Sequence, residues 1–142
     1  MMKPYRATAT INASPETIWD ILADAEGYSK WDPSMERIAG QIALGEAVTF
    51  HTKLSPKAFP VRVTAFDRPR EMVLTGGLPL GLFKSERTHT LPSTADGHTT
   101  VDTHEVFSGL LLALFGRSIP DLTENFEGFL AALKAHAGHT DS

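Results

Sequence analysis

Polar and apolar residues alternate at the start of the chain. From Pro4 to Asn12, every second side chain is apolar or aromatic, and those between are mostly polar or charged. Successive side chains of a β-strand point to opposite faces, so this alternation is typical of a strand with one buried face. We predict a strand whose buried face carries Tyr5, Ala7, Ala9 and Ile11.

A helix start follows this strand. Ser14 offers a hydroxyl that caps a first helical turn, and Pro15 suits the first helical position, where no N–H is needed. Glu16 then lies at the positive end of the helix dipole. The helical spacing predicts a buried side formed by Ile18, Trp19, Leu22 and Ala25.

A second, shorter helical turn or loop is predicted between Gly27 and Pro33. Gly27 interrupts the first helix, and the rings of Tyr28 and Trp31 fix the segment that follows to the body of the protein. Large rings usually serve core packing, and Trp31 is the one nearest to a loop. We therefore expect Trp31 to be the ring of this segment that touches a ligand.

From Met35 onward, glycine and proline divide the chain into short segments typical of strands. The segment 72–75 is one of them, and two others alternate strictly. Their alternation predicts inner positions at Val48 and Phe50, and at Val61, Val63 and Ala65.

The last two strands form a predicted hairpin, from Phe83 to Leu91 and from Thr99 to Phe107, joined by a turn that contains Gly97. Leu91 is an apolar residue that directly precedes the turn and should point inward. The period of two then places on the same face Phe83, Ser85, Arg87 and His89. On the partner strand it places inward Val101, Thr103, Glu105 and Phe107.

A long amphipathic helix closes the chain between Ser118 and Ala137. Its apolar residues recur with the spacing of one buried helix face, at Ile119, Leu122, Phe126, Phe129, Leu130, Leu133 and Ala137. The order of elements is one strand, two short helices, six strands and one long helix. We therefore predict a single α+β domain over residues 1–142, with one sheet and helices on one of its faces.

Three segments resemble the SRPBCC (START/Bet v 1-like) superfamily, and more narrowly its polyketide cyclase/dehydrase-related branch. They are the stretches 11–19 (INASPETIW), 31–33 (WDP) and 107–111 (FSGLL), the last of them before the final helix. The resemblance covers the chain from Tyr5 to Ala137. It implies a helix-grip fold, in which a seven-stranded curved antiparallel sheet surrounds the C-terminal helix and encloses a deep pocket for hydrophobic small molecules. Superfamily members include lipid carriers, hormone receptors, aromatase/cyclases and co-chaperone modules.

A polar cluster is predicted on the apolar wall of the last hairpin. There Glu105 becomes a cross-strand neighbour of either His89 or Arg87. A buried carboxylate needs such a partner, and the cluster has three interpretations: an acid/base pair of His89 with Glu105, a group that orients a ligand, or a structural ion pair. A bulge in the last strand would instead turn Asp102 and His104 inward.

The function indicated is the binding of a lipid-like or polyketide-like molecule between the sheet and the C-terminal helix. The predicted contacts to this ligand are Trp31, Phe50, Val63, Leu74, Phe83, Phe107, Leu111, Phe126 and Leu130. Arg87, His89 and Glu105 would orient it. One alternative is a cyclase- or dehydratase-like enzyme that uses the same polar trio as catalytic residues, and another is a co-chaperone-like protein-interaction module with a collapsed pocket.

Three apolar segments are expected to surround the pocket mouth: residues 54–60, 76–83 and 109–116. The last of these lies between two glycines and joins the final strand to the helix. We predict that it has one face packed against the protein and one face lining the cavity, as a lid would.

Composition excludes several other classes of protein. The chain has no cysteine, which rules out thiol catalysis and disulfides, and its net charge of −4 with dispersed signs disfavours nucleic acid as a partner. No stretch has the length or apolarity of a signal peptide or membrane span, so we expect a cytoplasmic protein with no stable membrane insertion.

Cofactors are not expected either. The six histidines have no metal-ligand spacing, and no glycine-rich loop has a nucleotide-binding pattern. The sequence leaves a homodimer open.

Overall fold

A computed structural model describes residues 2–53, 58–78, 82–92, 98–109 and 123–141. Their strands are β1 (Met2–Ile11), β2 (Met35–Ala39), β3 (Ala47–Thr52), β4 (Phe59–Asp67), β5 (Glu71–Leu78), β6 (Phe83–Thr90) and β7 (Thr99–Ser108). Their helices are α1 (Pro15–Ala23), α2 (Tyr28–Trp31) and α3 (Thr123–Asp141), with a 3₁₀ turn (Ala25–Gly27) before α2. None of these helices is long and apolar enough to cross a membrane.

The strands form one curved antiparallel sheet in the order β1-β7-β6-β5-β4-β3-β2. Each strand from β2 to β7 pairs with its neighbour in sequence, whereas β1 crosses over to pair with β7. Helix α3 packs against β1 and contacts α1 and α2. The α+β helix-grip architecture predicted from the sequence is confirmed.

The buried stripe of α3 is the one that the spacing predicts. The side chains of Phe126, Phe129, Leu130, Leu133 and Ala137 are all buried. The helix continues to Asp141, four residues beyond the predicted end, and the predicted positions Ile119 and Leu122 lie outside the described residues.

The predicted alternation of β4 is wrong at Ala65. The register with β5 shifts between Val63 and Ala65, so an extra residue is inserted and the pattern changes face. Phe66 then lies opposite the buried Met72, and its ring packs on that of Trp19 with centroids 5.0 Å apart. The bulge therefore brings a large ring onto α1 where simple alternation places a methyl group.

Helix α1 begins as the sequence predicts. Ser14 is the N-cap, and its hydroxyl oxygen accepts a hydrogen bond from the Thr17 amide at 3.1 Å. Replacing Ser14 with Ala should lower the free energy of unfolding by about 1 kcal/mol, because a backbone donor of the first turn loses its partner. Urea denaturation measures this loss. Replacing Ser14 with Asp, which also caps helices, should retain most of the stability, and an equal loss in both variants would contradict the capping role.

Candidate functional site

The inner face of the sheet, which faces α3, is sealed at one end and open at the other. Near α1 and α2 its side chains are buried: Ile11, Val63, Met72, His89, Leu91, Val101 and Thr103. Further along the same strands they are only half-buried: Phe50, Val61, Gly76, Phe83, Ser85 and Phe107. We call this second group the open end of the inner face.

The two strands of the last hairpin place polar residues of their inner faces opposite one another. Arg87 lies opposite Glu105, and His89 lies opposite Thr103. The pairing holds Glu105 and Thr103 on the inner face, where both are buried. The strand is not bulged at this point, so the alternative with Asp102 and His104 inward does not apply.

Arg87 and Glu105 form the ion pair of this site. The Arg87 Nε donates to the Glu105 Oε1 at 3.0 Å, and the two side chains are 23% and 9% exposed. The guanidinium carbon also lies 5.0 Å from the centre of the Phe126 ring of α3, within the range of a cation–π contact. The sequence leaves either His89 or Arg87 as the partner of Glu105, and in the structure the partner is Arg87.

His89 is held by other groups. Its Nδ1 lies 2.9 Å from the Thr103 hydroxyl oxygen, and its ring stacks on Phe129 with centroids 5.6 Å apart. Burial lowers the pKa of His89 to about 3, and the positive charge of Arg87 contributes in the same direction. His89 is therefore a neutral, hydrogen-bonded core residue at neutral pH.

Aromatic rings surround the ion pair. Tyr5 lies directly opposite Glu105 on β1, and its ring meets the edges of Phe107 and Phe126 at centroid distances of 6.0 and 6.4 Å. Phe83 stacks on Phe107 at 5.9 Å. The ion pair thus lies at the base of the open end, among rings of three strands and α3.

The predicted ligand contacts differ in burial. Phe50, Phe83 and Phe107 lie at the open end, whereas four others are buried: Val63, Leu74, Phe126 and Leu130. Trp31 is 9% exposed and packs between Phe129 and His136, at centroid distances of 5.3 and 6.3 Å, which favours a core role for it. Leu111 and most of the predicted lid lie outside the described residues.

The first lid glycine is held close to β6. Gly109 has a φ of +117°, and a Cβ at this position would come within 2.6 Å of the Leu82 carbonyl oxygen. Only glycine fits this approach without strain. The backbone after β7 is therefore fixed beside the start of β6, which is part of the open end.

Sequence reasoning misses Tyr5, Val61 and Gly76 as members of the site. The alternation of β1 does show that Tyr5 is buried, but nothing in it shows that β1 pairs with β7 beside Glu105. Within the described ranges, no group of three His, Asp or Glu side chains is placed to bind a metal ion.

A family model described as polyketide cyclase/dehydrase and lipid transport matches residues 2–138. No curated protein sequence matches the chain significantly. Solved structures are similar in fold. A START superfamily protein from Mycobacterium smegmatis has 16% identity and a TM-score of 0.74, with 98% of each chain covered.

Two enzymes are among the other similar structures. The Zhui aromatase/cyclase from Streptomyces sp. R1128 has 16% identity and a TM-score of 0.75, with 96% of this chain and 94% of that chain covered. Norcoclaurine synthase from Thalictrum flavum has 13% identity and a TM-score of 0.74, with 100% and 90% covered. At this level of identity, the likeness shows the fold alone.

Proposed function

Because the chain belongs to the polyketide cyclase/dehydrase and lipid transport family, we propose that it binds a hydrophobic or aromatic small molecule at the open end of the inner face, beneath α3. The ligand's apolar body contacts Phe50, Phe83 and Phe107. Its polar group points toward Arg87 and Glu105. Half-buried aromatic side chains beside a few polar groups are the usual composition of a ligand site.

The ion pair among aromatic rings is the observation that carries this proposal. A buried ion pair contributes little to stability compared with well-packed apolar residues of similar volume. Among the described residues, Arg87 contacts Glu105 through Nε and Phe126 through its face, which leaves its two Nη groups as donors. A ligand oxygen, such as a carbonyl, hydroxyl or acid group, is the acceptor that these donors fit.

Binding is favoured over the cyclase- or dehydratase-like alternative. A general acid needs a pKa near the working pH, and the pKa of His89, about 3, is too low for it to carry a proton there. Glu105 is engaged by Arg87 at 3.0 Å. Orientation of a bound ligand therefore accounts for the trio better than proton transfer. The interaction module needs a collapsed inner face, which the half-buried open end does not favour.

Filling the open end with a large side chain should weaken ligand binding. Ser85 lies at this end, opposite Phe107, and its neighbour Lys84 lies on the outer face and is exposed. We expect anilinonaphthalene sulfonate to bind the unmodified protein and to bind Ser85→Trp at least about tenfold more weakly, while Lys84→Trp binds as the unmodified protein does. Fluorescence titration measures all three.

Equal affinity in both tryptophan variants, or no binding to the unmodified protein, would contradict the proposal. Native mass spectrometry of protein purified from its own host identifies the natural ligand, as a mass retained by the unmodified protein and absent from Ser85→Trp.

A further inference from the structure

A groove of about 440 Å³ runs along the outside of the molecule, between the edge strand β1 and helix α3. The groove is separate from the open end of the inner face. Two elements line it: β1 with Arg6, Ala7, Thr8 and Ala9, and one face of α3 with Glu127, Leu130, Ala131 and Lys134. The floor is apolar, and charged side chains stand at its margins.

The charges on the helix side of the groove are complementary to those of a second copy of the same helix. Glu127, Leu130, Ala131 and Lys134 have the spacing of one helix face, with an acid at one end, a base at the other and apolar residues between. Glu127 and Lys134 are exposed, and neither forms an ion pair with another described residue. A two-fold axis through the middle of this face places Glu127 opposite Lys134 of a second copy, and Lys134 opposite its Glu127.

The strand side of the groove is compatible with the same two-fold axis. Strand β1 pairs with β7 on one edge, and no described strand pairs with its other edge. Strand β1 and helix α3 run in the same direction. Phe126 contacts Tyr5, whereas Phe129, one turn later, stacks on His89, whose cross-strand partner Thr103 lies opposite Ala7. One axis therefore makes both elements antiparallel to their copies. With Ala7 on the axis, Arg6 lies opposite Thr8, so no like charges meet directly.

Small residues allow the two helices to approach. Gly128, Ala131 and Ala135 are exposed along this side of α3, and nothing lies within 4 Å of a Cβ built on Gly128. Helix pairs with small contact residues pack at the short end of the usual range of about 8–10 Å.

From this geometry we propose that the groove is a homodimer interface, in which β1 pairs antiparallel with β1 of a second copy and Glu127 pairs with its Lys134 across the two-fold axis. The dimer joins two sheets into one continuous sheet. Eight residues line the groove in each copy, fewer than the roughly 20–30 per side of a standard interface, so the dimer should be weak and dependent on concentration.

Charge reversal tests this interface. Sedimentation velocity of the full chain from about 1 μM to about 1 mM should show a monomer–dimer equilibrium. Glu127→Lys and Lys134→Glu should each raise the dissociation constant at least about tenfold, because like charges then meet twice across the axis. The double variant Glu127→Lys/Lys134→Glu should restore dimerisation, since the antiparallel arrangement pairs the reversed charges again.

Two charged residues away from the groove provide matched controls. Glu26 and Lys30 are exposed near α2, and Glu26→Lys and Lys30→Glu change the net charge equally, yet should leave the dissociation constant unchanged. A monomer at every concentration, single reversals without effect, or a double variant that does not recover would each overturn the proposal. Hydrogen exchange in residues 2–11 should slow as the dimer forms, and unchanged exchange would overturn the strand pairing.

Discussion

Replacing Arg87 with Met should lower the free energy of unfolding by about 3 kcal/mol. The change leaves the Glu105 carboxylate without its hydrogen-bonded partner at a position where its side chain is only 9% exposed. An uncompensated buried charge costs more than the ion pair contributes, so the single variant is less stable than one that lacks both charges. Chemical denaturation at neutral pH measures the loss.

The double variant Arg87→Met/Glu105→Leu separates stability from binding. We expect it to recover most of the lost stability, because two apolar side chains pack against Phe126 and the neighbouring rings with no charge to solvate. It should nevertheless bind anilinonaphthalene sulfonate at least about tenfold more weakly than the unmodified protein, since the sulfonate loses a charged donor. Unchanged affinity in a stable double variant would show that the pair is structural only.

Local patterns in the sequence are sufficient for most of the fold. The cap at Ser14 and the buried stripe of α3 depend on neighbours within one or two helical turns, and both are as predicted. The inward face of the last hairpin follows from the direction of Leu91 and the period of two, whereas the pairing of Arg87 with Glu105 is one of two that the sequence leaves open. These features depend on residues close together in the chain, or on one turn between two strands.

The features that the sequence does not predict depend on distant parts of the chain. The bulge in β4 turns Phe66 inward in place of Ala65, and the ring that Phe66 contacts belongs to Trp19 of α1, far away in the sequence. Tyr5 enters the site only because β1 crosses over to β7. The alternation within a strand determines which face a side chain occupies, but it does not determine which strand lies beside it.

The two polar pairs of the inner face differ in their access to solvent. Arg87 is half-buried and lies next to the open end, whereas His89 is 1% exposed and lies at the sealed end, two residues along the same strand. A protonated imidazolium would be an unpaired charge inside the core, with Thr103 as its hydrogen-bond partner and the Arg87 cation nearby. His89 therefore resists protonation in the folded state, and this has a measurable consequence for stability.

Stability should fall steeply in acid because of His89. The ordinary histidine pKa of 6.5 applies to the unfolded chain, and the pKa of about 3 applies to the folded protein. The contribution of neutral His89 is fully present above pH 6.5. This contribution decreases as the pH falls toward 3, because only the unfolded state takes up the proton. The free energy of unfolding then falls by about 1.4 kcal/mol per pH unit, or by about 2–3 kcal/mol in total at pH 4.5.

The variant His89→Asn should remove this part of the pH dependence. Its amide can still hydrogen-bond the Thr103 hydroxyl, and it does not titrate. Urea denaturation between pH 4.5 and 7 measures the slope of the unfolding free energy against pH. This slope should be shallower for His89→Asn, by the equivalent of up to one bound proton, although the variant is less stable at pH 7. Equal slopes in the unmodified protein and His89→Asn would contradict the lowered pKa of His89, because the folded state would then take up the proton over the same pH range as the unfolded chain.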